Sequence, residues 1–404
     1  MKICGVIAEY NPFHNGHALQ LAETRRILGG DTAIVCVMSG NFVQRGDLGI
    51  VEKYSRAEAA ARCGADLVLE LPLGAALSSA DGFAVGGVRA LDALGGVGYL
   101  SFGSECGSAS LLLAAARALE RPGAQNALRA GLRQGLSYAA ACQSALQPDT
   151  PGLAELLAAP NNTLGIAYCR AIARTGSLLT PFTIRRRGAG HDSNSPRAGL
   201  SSASYLRRLL TDGPLTACLG LVPDTSYRIL AGAFAAGAAP VLLSRLDGAL
   251  LSYLRRLSPS EFARYERPDE GLCNRLSQAA YEGATFAEAC ARAQTRRYPL
   301  ARVRRAYLRA FLGLPLDALD APPTYLRVLA IGGRGRALLR RFRETAAVPL
   351  VVKPLHEKQL PEGMQPALLR DLRADDLYAL AFPDEKLRVG GSHFRKTPYC
   401  APEA

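Results

Sequence analysis

Along the first hundred residues, short uniformly apolar runs alternate with longer amphipathic ones. Ile3 to Ala8, Thr32 to Met38, Asp66 to Glu70 and Tyr99 to Phe102 have the length and content of buried strands. Between them, helical spacing runs from about His17 to Leu28, from Ser55 to Arg62 and from Ala80 to Leu94, the first stopping at Gly29-Gly30. Strands that alternate with helices predict a parallel α/β sheet covered on both faces. Beyond Gly107 the pattern is helical, with one more strand expected at Phe182 to Arg186. From Leu219 onward Leu and Arg recur at helical spacing, as in Arg302 to Leu314, which predicts a second, mainly α-helical domain with a basic surface. The expected boundary divides residues 1–218 from residues 219–404.

Composition narrows the function classes. The 404 residues are 49% hydrophobic and 21% charged, which suits a folded protein of two or three domains and not a disordered one. The longest apolar stretch, Ile229 to Leu243, is broken by Gly232, Gly237 and Pro240 and is too short to span a bilayer. The first residues hold no apolar leader segment, so a cytoplasmic address is expected. None of the ten cysteines lies within sixteen residues of another, which removes local metal-ligand pairs and favours free thiols in a reducing compartment. A formal charge of +13 favours a polyanionic partner, although the basic residues are largely arginine, which genome composition also promotes.

The chemistry is concentrated after the first strand. His14-Asn15-Gly16-His17 forms an HxGH signature, for which about 0.006 chance matches are expected at this composition. In an open α/β sheet the loop after the first strand meets ligands. There a glycine lets a nucleotide approach the backbone, and two imidazoles at a helix N-terminus can donate to phosphate oxygens and to charge developing at the α-phosphate.

Five segments then carry a resemblance: Gly5 to His17, Met38 to Asp47, Gly64 to Pro72, Ser101 to Glu105 and Pro160 to Tyr168. Together they resemble the bacterial tRNA(Met) cytidine acetate ligases, of the HxGH nucleotidyltransferase superfamily. Thr295 to Arg305 and Tyr325 to Leu339 are similar to parts of that family's C-terminal half. The resemblance implies a Rossmann-like nucleotidyltransferase sheet and an ATP-dependent ligase. Such an enzyme activates acetate as acetyl-adenylate and acetylates N4 of the wobble cytidine of elongator tRNA(Met). ATP is then a substrate, with Mg2+ accompanying it; acetate and the tRNA are the partners.

Carried over by motif, the ATP loop is Ile7, Ala8, Glu9, Tyr10, Asn11, Pro12, Phe13, His14, Asn15, Gly16, His17, Ala18, Leu19 and Gln20. His14 and His17 are the implied catalytic donors. Further nucleotide contacts are implied at Gly103, Asn161 and Arg186, and at Ser202 and Ser204 of a serine-rich helix start resembling the superfamily's ISSTxxR motif, with Arg207 one turn in. Taken by type alone, Asn161 is equally a helix N-cap, and the 185–187 arginine run equally a solvated face. Asn41, Gln44 and Arg45 leave the second strand where acetate would sit. Lys53 and Arg56 begin the next helix, where they either neutralise pyrophosphate, contact RNA or simply face solvent. Arg296, Arg297, Arg302, Arg304 and Arg305, five arginines in eleven residues, are expected to form a tRNA surface or a solvated helix.

Two departures from the family pattern stand out. Asp47-Leu48-Gly49 replaces Glu-Pro-Ala, and the GAGYHD segment reads Gly188 to Asp192 without its tyrosine. An adenylyltransferase acting on a small molecule is the alternative function, but it leaves the basic helical half without a role. A non-catalytic RNA-binding protein is a third reading, against which both histidines stand intact.

Overall fold

The computed structural model describes residues 1–186, 199–268, 271–353 and 361–402. Strand β1 (Ile3–Ala8) leads through the HxGH loop to α1 (Asn15–Leu28) and β2 (Ala33–Ser39). A short hairpin, β3 (Phe42–Val43) and β4 (Asp47–Leu48), precedes α2 (Lys53–Arg62), β5 (Leu67–Leu71), α3 (Ala80–Asp92) and β6 (Tyr99–Ser104). Helix α4 (Pro160–Thr175), β7 (Thr180–Arg185) and α5 (Ala203–Asp212) complete the first half.

The strands align β5-β2-β1-β6-β7, all parallel. Chain order therefore reverses between β1 and β6, and a ligand crevice opens at such a switch, outside the C-terminal ends of the strands. The apolar run of β2 is continuous because both faces are covered. Val35 and Val37 pack with Leu91 of α3, while Ile34, Cys36 and Met38 pack with Leu21 of α1 and Ala60 of α2.

The second half does not stand apart as a helical domain. Strands β8 (Leu326–Ile331), β9 (Leu350–Val351) and β10 (Tyr399–Cys400) extend the same sheet, β8 running antiparallel against β5. The boundary expected at residue 218 thus cuts through one sheet. Helix α6 (Leu300–Phe311) belongs to a helical core, while α7 (Gly335–Thr345) and α8 (Gln365–Ala379) pack against these strands. The helical core of residues 241–314 in turn closes over Phe42, Leu48, Leu73 and Leu77 of the first half. Among the described residues no helix is long and apolar enough to cross a membrane.

The seam between the halves is ionic. Lys53 Nζ lies 2.7 Å from Glu70 Oε1 and 2.7 Å from Asp375 Oδ2, and Arg327 Nη1 donates to Asp375 Oδ2 at 2.8 Å. All four side chains are buried. Burial by itself lowers the Lys53 pKa, and Arg327 adds to that, but the two carboxylates outweigh both and the ammonium is held above its usual value. Lys53 therefore reaches neither pyrophosphate nor solvent, which removes the catalytic role expected for it. Arg56 is corrected likewise. Its guanidinium is buried and donates to the carbonyls of Glu9 at 2.7 Å, Ser39 at 3.1 Å, Val51 at 3.0 Å and Gly40, so it ties the ends of β1 and β2 and does not meet RNA. Gly40 is required beside this cluster, since a Cβ there would collide with the Glu70 carboxylate.

Removing one partner of a buried ion pair leaves an uncompensated charge at a cost of about 3–5 kcal/mol. Lys53→Met should lower unfolding stability on that scale in denaturant titrations. A loss under ~1 kcal/mol, the scale of an exposed pair, would show that the cluster holds nothing together.

Candidate active site

The loop after β1 is fixed before any ligand arrives. Tyr10 has φ 48°, a left-handed conformation uncommon for a non-glycine residue; its ring packs edge-on to Phe13 and His17, and its hydroxyl lies 3.3 Å from Cys36 Sγ. Asn11 donates to the Leu48 carbonyl at 3.1 Å and accepts from the Ile50 N–H at 2.8 Å, joining the loop to the β3-β4 hairpin. Asn15 donates to the carbonyls of Gly199 and Gly220, and Ser226 Oγ donates to the Phe13 carbonyl at 3.0 Å. Phe13 and Asn15 thus anchor the loop from outside the cavity.

His14 and His17 cap α1 for each other. The Gly16 N–H donates to His14 Nδ1 at 3.1 Å, and the His14 N–H donates to His17 Nδ1 at 3.2 Å; the rings stack with centroids 3.6 Å apart. A Cβ on Gly16 would lie 2.9 Å from His14 Cε1, so the glycine of the signature makes room for this cap. Because each Nδ1 accepts, the neutral tautomer of each ring carries its proton on Nε2. Burial, then the guanidinium groups of Arg186 and Arg207, push His14 down to about 3. Burial, then His14 and Arg186, hold His17 well below its ordinary value. Both imidazoles are uncharged donors at neutral pH.

They face a cavity of about 370 Å³ at the β1/β6 switch. Its polar lining includes His14, His17, Gln44, Arg45, Arg186 and Arg207; its apolar lining includes Ile7, Phe83, Phe102, Leu164 and Tyr168. Of the expected loop, Ile7, Ala8, Glu9, Tyr10, Asn11, His14, His17 and Gln20 line it. Gly16 and Leu19 line a small adjoining space, while Pro12 and Ala18 line neither.

Register decides the arginine run. Ser104 pairs with Arg185 and the Arg186 N–H donates to the Ser104 carbonyl at 2.8 Å, which places Arg186 on the cavity wall against Gly103. Arg185 turns toward Gly107 and the smaller space. Arg187 and the Gly188 to Asp192 segment lie outside the described residues. Asn161 lines the cavity and is not the N-cap of α4, which is Ala159. Its Nδ2 donates to Glu105 Oε1 at 2.6 Å, which fixes the orientation of the amide. Ser202 is the N-cap of α5, accepting from the Tyr205 N–H, and Ser204 Oγ accepts from Arg207 at 3.2 Å.

Two expectations are corrected here. Asn41 does not enter the cavity: its Nδ2 donates to Asp375 Oδ1 at 2.9 Å and its Oδ1 accepts from the Lys53 N–H at 2.8 Å. Arg305 is buried and donates to the Gln44 carbonyl at 2.8 Å, so it packs α6 against the hairpin instead of forming an RNA surface. Arg302 is half-buried and pairs with Glu266 at 3.0 Å. Arg304 lies 3.9 Å from Asp47, while Arg296 is exposed and Arg297 half-buried. Phe83, Tyr168 and Phe102 were not singled out from sequence, although the last two lie inside recognised motifs.

The chain is similar to proteins of one family over nearly its whole length. A family described as HIGH Nucleotidyl Transferase matches residues 1–391. A protein of Acetivibrio thermocellus named tRNA(Met) cytidine acetate ligase is 36% identical over 98% of both chains, and one of Halothermothrix orenii with the same name is 34% identical over 98% of both. The chain belongs to the tRNA(Met) cytidine acetate ligase family of HIGH nucleotidyl transferases. The crystal structure of apo Thermotoga maritima TmcAL superposes with a TM-score of 0.92 at 31% identity, covering 99% of each chain. A second structure of that protein, bound with alpha-thio ATP, gives 0.90 at 30% identity over the same share. Members of this family thus share with this chain the whole architecture, second half included.

Two outcomes follow from the uncharged histidine pair. His14→Ala or His17→Ala should lower acetate-dependent pyrophosphate release at least ~100-fold, the scale for losing a preorganised donor; near-parental release would remove both from the chemistry. Each folded pKa is depressed below the unfolded value near 6.5, so the unfolded chain binds the extra protons. Stability from these groups is complete above pH ~6.5 and declines as pH falls toward 3. His14→Asn, which keeps a capping acceptor, should lose less of its melting temperature between pH 7 and 5 than the parent does. Equal losses would place the pH sensitivity elsewhere.

Proposed function

We propose that the chain activates acetate with ATP as acetyl-adenylate and transfers the acetyl group to N4 of the wobble cytidine of elongator tRNA(Met). The observation that carries this reading is a cavity whose lining combines two neutral Nε2–H donors and two arginines, Arg186 and Arg207, with the apolar side chains of Ile7, Phe83, Phe102, Leu164 and Tyr168. The adenine is assigned to those apolar side chains, with the Asn161 carbonyl oxygen as acceptor for its amino group. The phosphates are assigned to His14, His17, Arg186 and the first turn of α5, where Ser202 and Ser204 sit at the positive end of the helix.

Acetate is assigned to Gln44 and Arg45. The Gln44 N–H is held by Glu9 Oε1 at 2.7 Å, which keeps the loop against the end of β1. One acetate oxygen attacks the α-phosphorus and the bond to the β-phosphate breaks, its electron pair leaving on pyrophosphate. The histidine and arginine donors meet the charge that grows on both groups. Uncharged imidazoles suit this role because they donate without repelling the neighbouring arginines. Among the described residues no group of three histidine, cysteine or carboxylate side chains forms a metal site, so Mg2+ is taken as part of the nucleotide with no protein ligands assigned. An exocyclic cytosine amine is a weak nucleophile because its lone pair is delocalised into the ring. A mixed anhydride supplies the activation it needs.

Incubating the chain with ATP, labelled acetate and tRNA(Met) should place the label on RNA only when all three are present. Pyrophosphate release that ignores acetate would point instead to a small-molecule adenylyltransferase, and label on RNA without ATP would overturn the adenylate.

A further inference from the structure

Beside the nucleotide cavity opens a larger one, of about 480 Å³. Its floor is the buried Leu48, Ile50 and Val241; its rim carries Asp47 from β4 and Arg208, Thr211 and Asp212 from α5. Arg45, Ser204 and Arg207 line both cavities and stand between them. Arg45 reaches Ser204 Oγ at 3.5 Å and Arg207 donates to the Asn11 carbonyl at 2.9 Å, so the partition is tied to the HxGH loop and to α5.

We infer that this second cavity receives the cytosine of the RNA nucleotide to be acetylated, an inference that rests on the function proposed above. Three arguments point the same way. Arg45, to which the acyl end of the adenylate is assigned above, lines both cavities, so a nucleophile in the neighbouring one meets the carbonyl carbon without crossing the ATP. The apolar floor suits the faces of an unstacked pyrimidine, and arginines at the rim suit its O2 and N3 acceptors. Finally, two carboxylates, Asp47 and Asp212, face this space, where they would repel a phosphate but accept an exocyclic N–H.

In the transfer step the N4 lone pair forms a C–N bond to the acetyl carbonyl carbon. The bond from that carbon to the phosphate oxygen breaks, its electron pair leaving on AMP. N4 gives up one proton, and Asp47, two residues from Arg45 on the same hairpin, accepts it. The Leu48 N–H donates to Asp47 Oδ1 at 2.8 Å and Arg304 lies 3.9 Å from Oδ2, which orients the carboxylate.

The test uses the full chain and two readouts, acetate-dependent ATP–pyrophosphate exchange without RNA and single-turnover acetyl transfer to a tRNA(Met) transcript. Thr211 is exposed, and Thr211→Trp should narrow the mouth, raising the KM for tRNA at least ~10-fold while exchange stays within about twofold. Asp47→Asn should lower the ratio of transfer to exchange ~100-fold with little change in KM, and Asp47→Glu should restore part of it. Transfer that matches the parent in both Thr211→Trp and Asp47→Asn, or transfer and exchange falling together, would overturn the inference. A parent chain that exchanges pyrophosphate but labels no tRNA would overturn the functional reading first, and this inference with it.

Discussion

Two cations and two anions, sealed from water, decide how this molecule is put together. Lys53 and Glu70 come from the first half, Arg327 and Asp375 from the second, and each is tolerated in the interior only because the others are present. From that cluster Asp375 reaches Asn41, and Asn41 takes the first N–H of α2. The turn at the end of β2 is thereby set, and the hairpin that follows carries Gln44 and Arg45. The four-charge cluster thus helps set where Gln44 and Arg45 stand on the cavity wall.

In the proposed reaction, the chemistry at that wall depends on withholding charge. The histidines give their Nδ1 atoms to backbone N–H groups and are desolvated beside arginines, so the protons they present belong to neutral rings. An imidazolium in the same place would attract a triphosphate more strongly in the ground state. It would also compete with Arg186 and Arg207, and the cap on α1 would be lost with the Nδ1 acceptor. The fold favours fixed dipoles over mobile charge, which costs no reorganisation as the transition state forms.

Much of the sheet and the HxGH loop was legible because their signals are local. Apolar runs fix the strands of the first half, and the signature fixes which loop carries the chemistry. Lys53, Arg56 and Arg305 were misread because a charged side chain in a sequence window looks solvated; for Arg56 the partners are backbone carbonyls, which carry no sequence signal, and for Lys53 and Arg305 a decisive partner lies far along the chain. Asp375 is 322 residues from Lys53, and the carbonyl that receives Arg305 is 261 residues away. Strand β8 was hidden the same way, since Arg327 interrupts its apolar run and only Glu70 and Asp375 make that arginine a core residue. The aromatic end of the nucleotide cavity was missed because Phe83 and Tyr168 read as ordinary helix core.

The antiparallel seat of β8 against β5 also bears on how the protein is born. Strand β5 emerges from the ribosome about 260 residues before the strand that completes its hydrogen bonding. Until then the nascent sheet has an open, apolar edge, and Lys53 and Glu70 wait without half of their counter-charges. Vectorial synthesis cannot finish one half and then the other, as it can for beads on a string. The N-terminal sheet must be shielded during elongation, and the whole enzyme matures in a late, long-range closure.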